Sequence, residues 1–295
     1  MIEHIVIGDL SQCQRLFHGR GHYYEHLAHV NVDWLAPVVL ITLYQEVEQT
    51  WLNAQAQWLY DNVDSCQSVQ VQYRCRAKAP TELLLGDNIE QTIVTELGLK
   101  YQLEFGKAQN TGLFLDMRNG RQWVLDNSQN KSVLNLFAYT CGFSVAAIAG
   151  GANKTINFDM SKASLAKGRD NHRLNQQDTK KVVFEGVDIF KSNGRIKKYG
   201  GYDVIICDPP SFQKGSVNIQ RDYGKLIRRI PQWANANADI MLCLNSPDLD
   251  RDFLLNNVKE HCPECVYQTD IAPPAVFKEA QQGKGLKVLL FKYLV

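Results

Sequence analysis

Val204-Ile205-Ile206-Cys207-Asp208-Pro209-Pro210-Ser211-Phe212 reads as a short buried strand that runs straight into an acidic, proline-stiffened turn. Four consecutive apolar residues without polar alternation suit a strand covered on both faces, as in a parallel sheet flanked by helices. The two prolines fix φ and remove two backbone donors, so the turn is rich in hydrogen-bond acceptors. The Asp208 carboxylate and the Pro209 carbonyl can accept from the edge of a flat, amine-bearing ring, and Phe212 can cover its face. In isolation the same letters would serve as an ordinary strand end, so the neighbouring segments carry the decision.

Those neighbours alternate short apolar runs with amphipathic ones from about residue 131 onward. Strands are predicted at Val133–Phe137, Thr155–Phe158, Val182–Phe184, Asp203–Cys207, Asp239–Leu244, Val266–Asp270 and Leu286–Tyr293. Helices are predicted at Phe143–Ala149, Lys162–Leu174, Tyr223–Ala236 and Arg251–His261, with Ser161 as an N-cap. Such alternation is the signature of an α/β, doubly wound parallel sheet, here closed by an antiparallel pair. Before residue 95 the texture changes: strand-like Ile2–Ile7 and Val38–Tyr44, helix-like Gln45–Tyr60 and an alternating Val69–Cys75. The chain is therefore expected to divide into a small α+β domain over 1–95, serving substrate recognition or covering the cofactor, and a catalytic domain over 96–295.

With 295 residues and 45% apolar content, the chain can bury one large core and one smaller one. Its 32 basic residues against 31 acidic ones leave a net charge of +1, so any nucleic-acid contact has to come from local patches. The N-terminus lacks a secretory pattern and no apolar run reaches membrane-spanning length, which predicts a cytoplasmic protein without membrane association. Of eight cysteines, Cys141, Cys207 and Cys243 sit inside apolar segments, where a reduced thiol packs as a small hydrophobe. Cys262-Pro263-Glu264-Cys265 has metal-ligand spacing but no second pair to complete a zinc site, so no metal is expected.

In a doubly wound sheet, ligands collect at the carboxyl ends of the strands. After the first predicted strand comes Ala138-Tyr139-Thr140-Cys141-Gly142, which lacks the Gly-x-Gly-x-x-Gly pattern of a pyrophosphate loop and so disfavours a dinucleotide. After the second comes Asp159, suited to accept from two ribose hydroxyls. After the third comes Asp188, suited to accept from an adenine amine, with Ile189 or Phe190 against the ring. Each acid alone could be a strand-end cap; with Asp208 they form an ordered set.

From about residue 100 to the end, the chain resembles the class I S-adenosylmethionine-dependent methyltransferases, in particular the bacterial large-subunit rRNA methyltransferases of cytosine C5 and guanine N7. The matching stretches are Thr111-Gly112-Leu113-Phe114-Leu115-Asp116-Met117-Arg118, Leu134-Asn135-Leu136-Phe137-Ala138-Tyr139-Thr140-Cys141-Gly142-Phe143-Ser144, Asp159-Met160-Ser161, Asn171-His172-Arg173-Leu174-Asn175 and the Asp-Pro-Pro-Ser-Phe turn. Upstream, Arg15–Gly21 and Asp33–Val38 resemble the small domain such enzymes carry. The resemblance implies a Rossmann-like seven-stranded methyltransferase sheet and S-adenosylmethionine as cofactor, leaving S-adenosylhomocysteine as product. It implies cofactor contacts from Phe114, Arg118, Phe137, Ala138, Tyr139, Thr140, Gly142, Asp159, Met160, Asp188, Ile189 and Asp208, and RNA, foremost ribosomal, as partner to a monomer or homodimer. The extra RNA-binding module or fused second enzyme of many relatives is not found, and the turn at Tyr139-Thr140-Cys141-Gly142 is poorer in glycine than usual.

Carbon 5 of cytosine needs a cysteine adduct at C6 before it can be methylated. The cytosine branch of the family supplies that cysteine just after the fifth strand, where this chain has Asn245, as the guanine branch does. Guanine N7 has an in-plane lone pair and needs positioning more than covalent help. The catalytic set is thus Asp208, Pro209, Phe212 and Asn245, acting at a base nitrogen. Three alternatives stay open: C5 chemistry through Cys243, a protein amide or small-molecule acceptor, and a non-catalytic RNA-binding assembly factor. For RNA contact the sequence offers Lys191, Arg195, Lys197 and Lys198; Arg221, Lys225, Arg228 and Arg229; and Arg15, His18, Arg20, His22, Tyr23 and Tyr24.

Overall fold

A computed structural model describes residues 1–210, 212–213, 217–281 and 283–295, with the side chains of residues 212, 213 and 217 outside the description. The chain forms two compact units, Met1–Asp116 with Pro274–Gln282, and Met117–Pro273 with Gly283–Val295. The sequence texture suggests a division at 95/96, whereas the units divide at 116/117. The reason is a hairpin over residues 91–104 that belongs to the first unit, together with a segment that returns to it from near the C-terminus.

In the first unit, β1 (Gln14–His18), β2 (Val30–Leu35), β3 (Val38–Leu43), helix α1 (Gln49–Asn62), β4 (Ser68–Tyr73) and β5 (Thr81–Gly86) follow one another in the chain. Their sheet has the order β1-β2-β3-β4-β5, antiparallel except for β3 and β4, which α1 connects in parallel. The hairpin is made by β6 (Gln91–Glu96) and β7 (Leu99–Glu104). Ile2–Ile7 is not a strand: Ile2–His4 is a 3₁₀ turn, whose three-residue period fits the Ile2/Ile5 spacing better than a period of two.

The second unit begins with α2 (Arg118–Asn127), β8 (Ser132–Leu136), α3 (Gly142–Ala149), β9 (Lys154–Asp159), α4 (Lys162–Leu174) and β10 (Val182–Gly186). It continues with α5 (Asn193–Lys198), β11 (Tyr202–Cys207), the ribbon β12 (Phe212–Gln213) and β13 (Val217–Asn218), α6 (Ile219–Ile227) and α7 (Ile230–Trp233). It ends with β14 (Ala234–Leu244), α8 (Arg251–His261), β15 (Cys265–Asp270) and β16 (Lys287–Tyr293). The seven-stranded sheet runs β10-β9-β8-β11-β14-β16-β15, and β16 is antiparallel to both of its neighbours. The chain winds outward from β8 to β10, then returns to β11 on the other side of β8. The strand order therefore reverses between β8 and β11, which is where ligands bind in sheets of this kind.

Local chemistry explains the boundaries. The Ser161 hydroxyl accepts from the Ser164 amide at 3.1 Å and caps α4, as expected, and Asp250 caps α8 through the Phe253 amide at 3.0 Å. The single helix expected over Tyr223–Ala236 is instead two. Pro231 cannot sit inside a helix and occupies the first turn of α7, while Ala234 already pairs with Tyr202 as the start of β14.

Candidate active site

Three strands end in carboxylates on the carboxyl edge of the sheet. Asp159 is the last residue of β9, Asp188 lies two beyond β10, and Asp208 immediately follows β11. The two Asp159 oxygens accept from the Tyr139 amide at 2.9 Å and the Ser161 amide at 2.7 Å, which holds the carboxylate against the turn after β8. A carboxylate has about four lone-pair sites, so this anchoring is compatible with further hydroxyl donors. Asp188 accepts from the Phe190 amide at 2.9 Å and faces Lys191 Nζ at 3.6 Å.

The turn after β8 is where the backbone is most unusual. Phe137, Tyr139 and Cys141 have φ of 59°, 48° and 62°, three non-glycine residues in the left-handed region within five positions. Each such residue costs on the order of 1–2 kcal/mol, and strain of this kind persists only where surrounding structure holds it, typically at binding sites. What holds it here comes from below. Asn171 Nδ2 donates to the Thr140 carbonyl at 3.0 Å, and Gly168 faces the Cys141 thiol so closely that a methyl group there would overlap it. The turn approaches α4 closely, and Gly168 and Asn171 are what permit it. Neither residue's role is legible from spacing, because the contact forms only when α4 packs on α3 and β9.

Beneath the turn lies a fully buried polar network. Asn135 Nδ2 donates to Asn157 Oδ1 at 2.9 Å, and Asn157 Nδ2 donates to the Ser144 hydroxyl at 3.0 Å. Ser144 Oγ lies 2.8 Å from the Thr155 hydroxyl and 3.0 Å from His172 Nε2. Gln177 donates through Nε2 to the Val145 carbonyl, so its oxygen faces His172 Nδ1 at 2.6 Å and that nitrogen carries the proton. Burial pushes the His172 pKa down to about 4, so the ring is neutral at pH 7.

Other predicted residues occupy varied positions. Met160 is 48% exposed beside Asp159, Ile189 is packed into the core, and Phe190 takes the half-buried place next to Phe137, with ring centroids 6.3 Å apart. Thr140 and Ala138 are buried, Gly142 opens α3, and Arg118 opens α2. Phe114 is 42% exposed and belongs to the first unit. Pro209 is buried and Asp208 half-buried; Ser211 and the side chain of Phe212 lie outside the described residues. Asn245 is exposed just past the end of β14, while Cys243, two residues earlier, is fully buried and pairs with Val288 of β16.

The loop that carries Asn245 is anchored by a lysine that sequence reading missed. Lys287 is 7% exposed, and its ammonium donates to the carbonyls of Ser246, Leu249 and Gly283 at 2.6, 2.8 and 2.9 Å. A lysine at the head of an apolar strand gives no sign of this in sequence.

Two of the basic clusters also make contacts within their own units. Arg221 and Lys225 lie on one exposed face, and both pair with the buried Asp222, at 2.8 and 2.7 Å, and hold its carboxyl well below the usual range. Arg15 is half-buried in an ion pair with Asp33 and donates to His18 Nδ1 at 2.7 Å. Burial, followed by the charges of Arg15 and Arg20, lowers the His18 pKa to about 3. Arg15 and His18 therefore build the small unit and are not presented to RNA. Arg20 remains exposed, over the Tyr44 ring at 4.3 Å.

Comparison with known proteins agrees with this fold. The sequence profile of a family described as S-adenosylmethionine-dependent methyltransferases matches residues 14–292, nearly the whole chain. The chain belongs to that family. The methyl donor of the family is S-adenosylmethionine. Among curated relatives, the ribosomal RNA large subunit methyltransferase K/L of Psychrobacter cryohalolentis is 41% identical over 147 residues, 46% of this chain and 18% of that protein. The ribosomal RNA large subunit methyltransferase I of Aliivibrio fischeri is 35% identical over 153 residues, 51% of this chain and 39% of that protein. The matched region thus spans well under half of these relatives. A solved methyltransferase structure, provisionally so described and complexed with S-adenosylhomocysteine, is 26% identical. It superposes with a TM-score of 0.86 over 97% of this chain and 76% of its own. The tRNA m1G37 methyltransferase of M. jannaschii, at 17% identity and a TM-score of 0.66 over 88% of this chain and 73% of its own, shares the fold alone. Among the described residues, no helix is long and apolar enough to cross a membrane.

Proposed function

We propose that this protein transfers a methyl group from S-adenosylmethionine to a base of RNA, ribosomal RNA foremost, at a ring nitrogen such as guanine N7. The observation that carries the reading is the pair of loops at the ends of adjacent strands β11 and β14: one starts with Asp208-Pro209-Pro210, and the other carries Asn245, at the position where the family resemblance puts the cytosine branch's cysteine.

The cofactor, when bound, supplies an electrophilic methyl on a sulfonium. Asp159 accepts from the ribose hydroxyls and Asp188 from the adenine amine, with Met160 and Phe190 as apolar cover. Asp208 and the Pro209 carbonyl accept from the edge of the base, Phe212 stacks on its face, and Asn245 offers an amide to a further edge atom. The lone pair of a ring nitrogen then needs alignment only, and Asp208 stabilises the positive charge that the base acquires on N7 methylation.

A second reading, C5 methylation through Cys243, is disfavoured because that thiol is fully buried within a paired strand. Transfer of labelled methyl to total RNA, followed by nucleoside digestion, tests the proposal. Label in 7-methylguanosine is expected. Label in 5-methylcytidine would overturn the choice of atom, and unlabelled RNA with intact cofactor binding would move the acceptor to a protein amide or small molecule, or leave a binding factor.

A further inference from the structure

We propose that Tyr223 is a positioning residue for methyl transfer, setting the spacing of the two acceptor loops through its hydroxyl; this rests on the reading of those loops given above. Tyr223 lies in α6, outside the set of residues that face a cofactor or base, and is 1% exposed. Its hydroxyl donates in bifurcated fashion to the Cys207 carbonyl at 3.1 Å and to the Cys243 carbonyl at 2.9 Å. Cys207 is the residue before Asp208, and Cys243 stands two before Asn245.

At the carboxyl end of a sheet, the strands part and their last carbonyls lose ladder partners. β11 and β14 are neighbours, and one phenol proton shared between both strand ends fixes how far apart their loops begin. The phenol is itself held in place. Phe253 of α8 meets its ring edge-on with centroids 6.4 Å apart, and Gly224 lets α6 approach α8 so closely that a methyl there would overlap the His261 ring. An offset of about 1 Å between a base and the methyl it attacks can cost up to about a hundredfold in rate, so a tie at this point acts on turnover.

The molecule contains its own control. Tyr202, at the opposite end of β11, is also fully buried and donates its hydroxyl to a single carbonyl, that of Ile196, at 2.8 Å. Tyr202→Phe and Tyr223→Phe each delete one buried hydroxyl and keep the ring, so both lose stability to a similar degree.

The experiment compares both variants with the wild-type chain by thermal melting, S-adenosylhomocysteine titration calorimetry, amide hydrogen exchange and labelled methyl transfer to total RNA. For Tyr223→Phe the expected result is unchanged affinity for S-adenosylhomocysteine, faster exchange at residues 208, 244–246, 248 and 249, and a kcat lower by about tenfold at unaltered cofactor KM. For Tyr202→Phe, exchange at those residues and kcat stay at the wild-type level. Equal behaviour of the two variants in exchange and kcat would overturn the proposal, as would a loss of S-adenosylhomocysteine affinity in Tyr223→Phe that accounts for its whole rate defect. If the wild-type chain labels no RNA, the functional reading falls by itself, and the exchange comparison still decides whether Tyr223 ties the loops.

Discussion

Asn171 Nδ2 donates to the Thr140 main-chain carbonyl at 3.0 Å, with both residues almost free of solvent. A helix side chain thereby pins a turn whose backbone is strained at Phe137, Tyr139 and Cys141. Replacing Asn171 by Ala removes this buried hydrogen bond, at about 0.5–1.5 kcal/mol, and frees the turn to relax. Expected is weaker binding of S-adenosylhomocysteine, by roughly tenfold, measured by calorimetry. Gly168→Ala pushes on the same turn through the Cys141 thiol, and Cys141→Ala in that background should recover part of the loss. A double variant no better than Gly168→Ala would show that the clash is not what matters.

His172 links proton uptake to folding. Its folded pKa of about 4 lies below the unfolded value near 6.5, so the unfolded chain binds the proton first as pH falls. The stability held by the neutral ring is complete above about pH 6.5 and is lost progressively down to about pH 4. At 1.36 kcal/mol per pH unit, that window is worth about 3 kcal/mol. His18, lowered to about 3, acts with the same sign in the first unit. Urea unfolding from pH 7 to pH 4 should show the loss, and His172→Gln should flatten the part that belongs to the second unit. A pH slope identical in wild type and variant would remove His172 as its source.

Much of this was legible because the second unit obeys local rules. The α4 and α8 boundaries fall where Ser161 and Asp250 cap them, and the strand ends at Asp159 and Cys207 follow from apolar runs that stop at acids. What escaped was whatever depends on contacts distant in sequence. Arg15 looked available for RNA until Asp33 and His18 closed on it. Arg221 and Lys225 share an exposed helical face, and their pairing with the buried carboxylate between them was not legible from the spacing. Tyr223 read only as the first residue of a predicted helix, and only the pairing of β11 with β14 brings two carbonyls beneath its hydroxyl.

Lys287 holds the Asn245 loop by giving each ammonium proton to a different carbonyl. Lys287→Met keeps the apolar stem but removes the donor from one buried and two half-buried carbonyls, so a loss on the order of 1–3 kcal/mol is expected in denaturant midpoints. Lys287→Arg should fail to rescue it, since a planar fork cannot aim three donors in a tripod. Wild-type stability in the arginine variant would mean that charge alone, and not the tripod, anchors the loop.

Cys243 decides between two chemistries. In a C5 enzyme the thiolate must reach C6 of the base, and its loss abolishes turnover. Here the side chain has no exposed surface, its strand is paired on both sides, and only the residue two positions later emerges at the edge. Cys243→Ala removes one buried sulfur from the core, a modest stability loss of about 1 kcal/mol, and should leave methyl transfer within about twofold of wild type if positioning is all that the reaction needs. Asn245→Ala should cut it by about tenfold or more, through loss of an amide at the acceptor. Labelled transfer to RNA measures both; a dead Cys243→Ala protein that still folds and binds S-adenosylhomocysteine would mean that β14 shifts by two residues during catalysis, and that the covalent route is the real one.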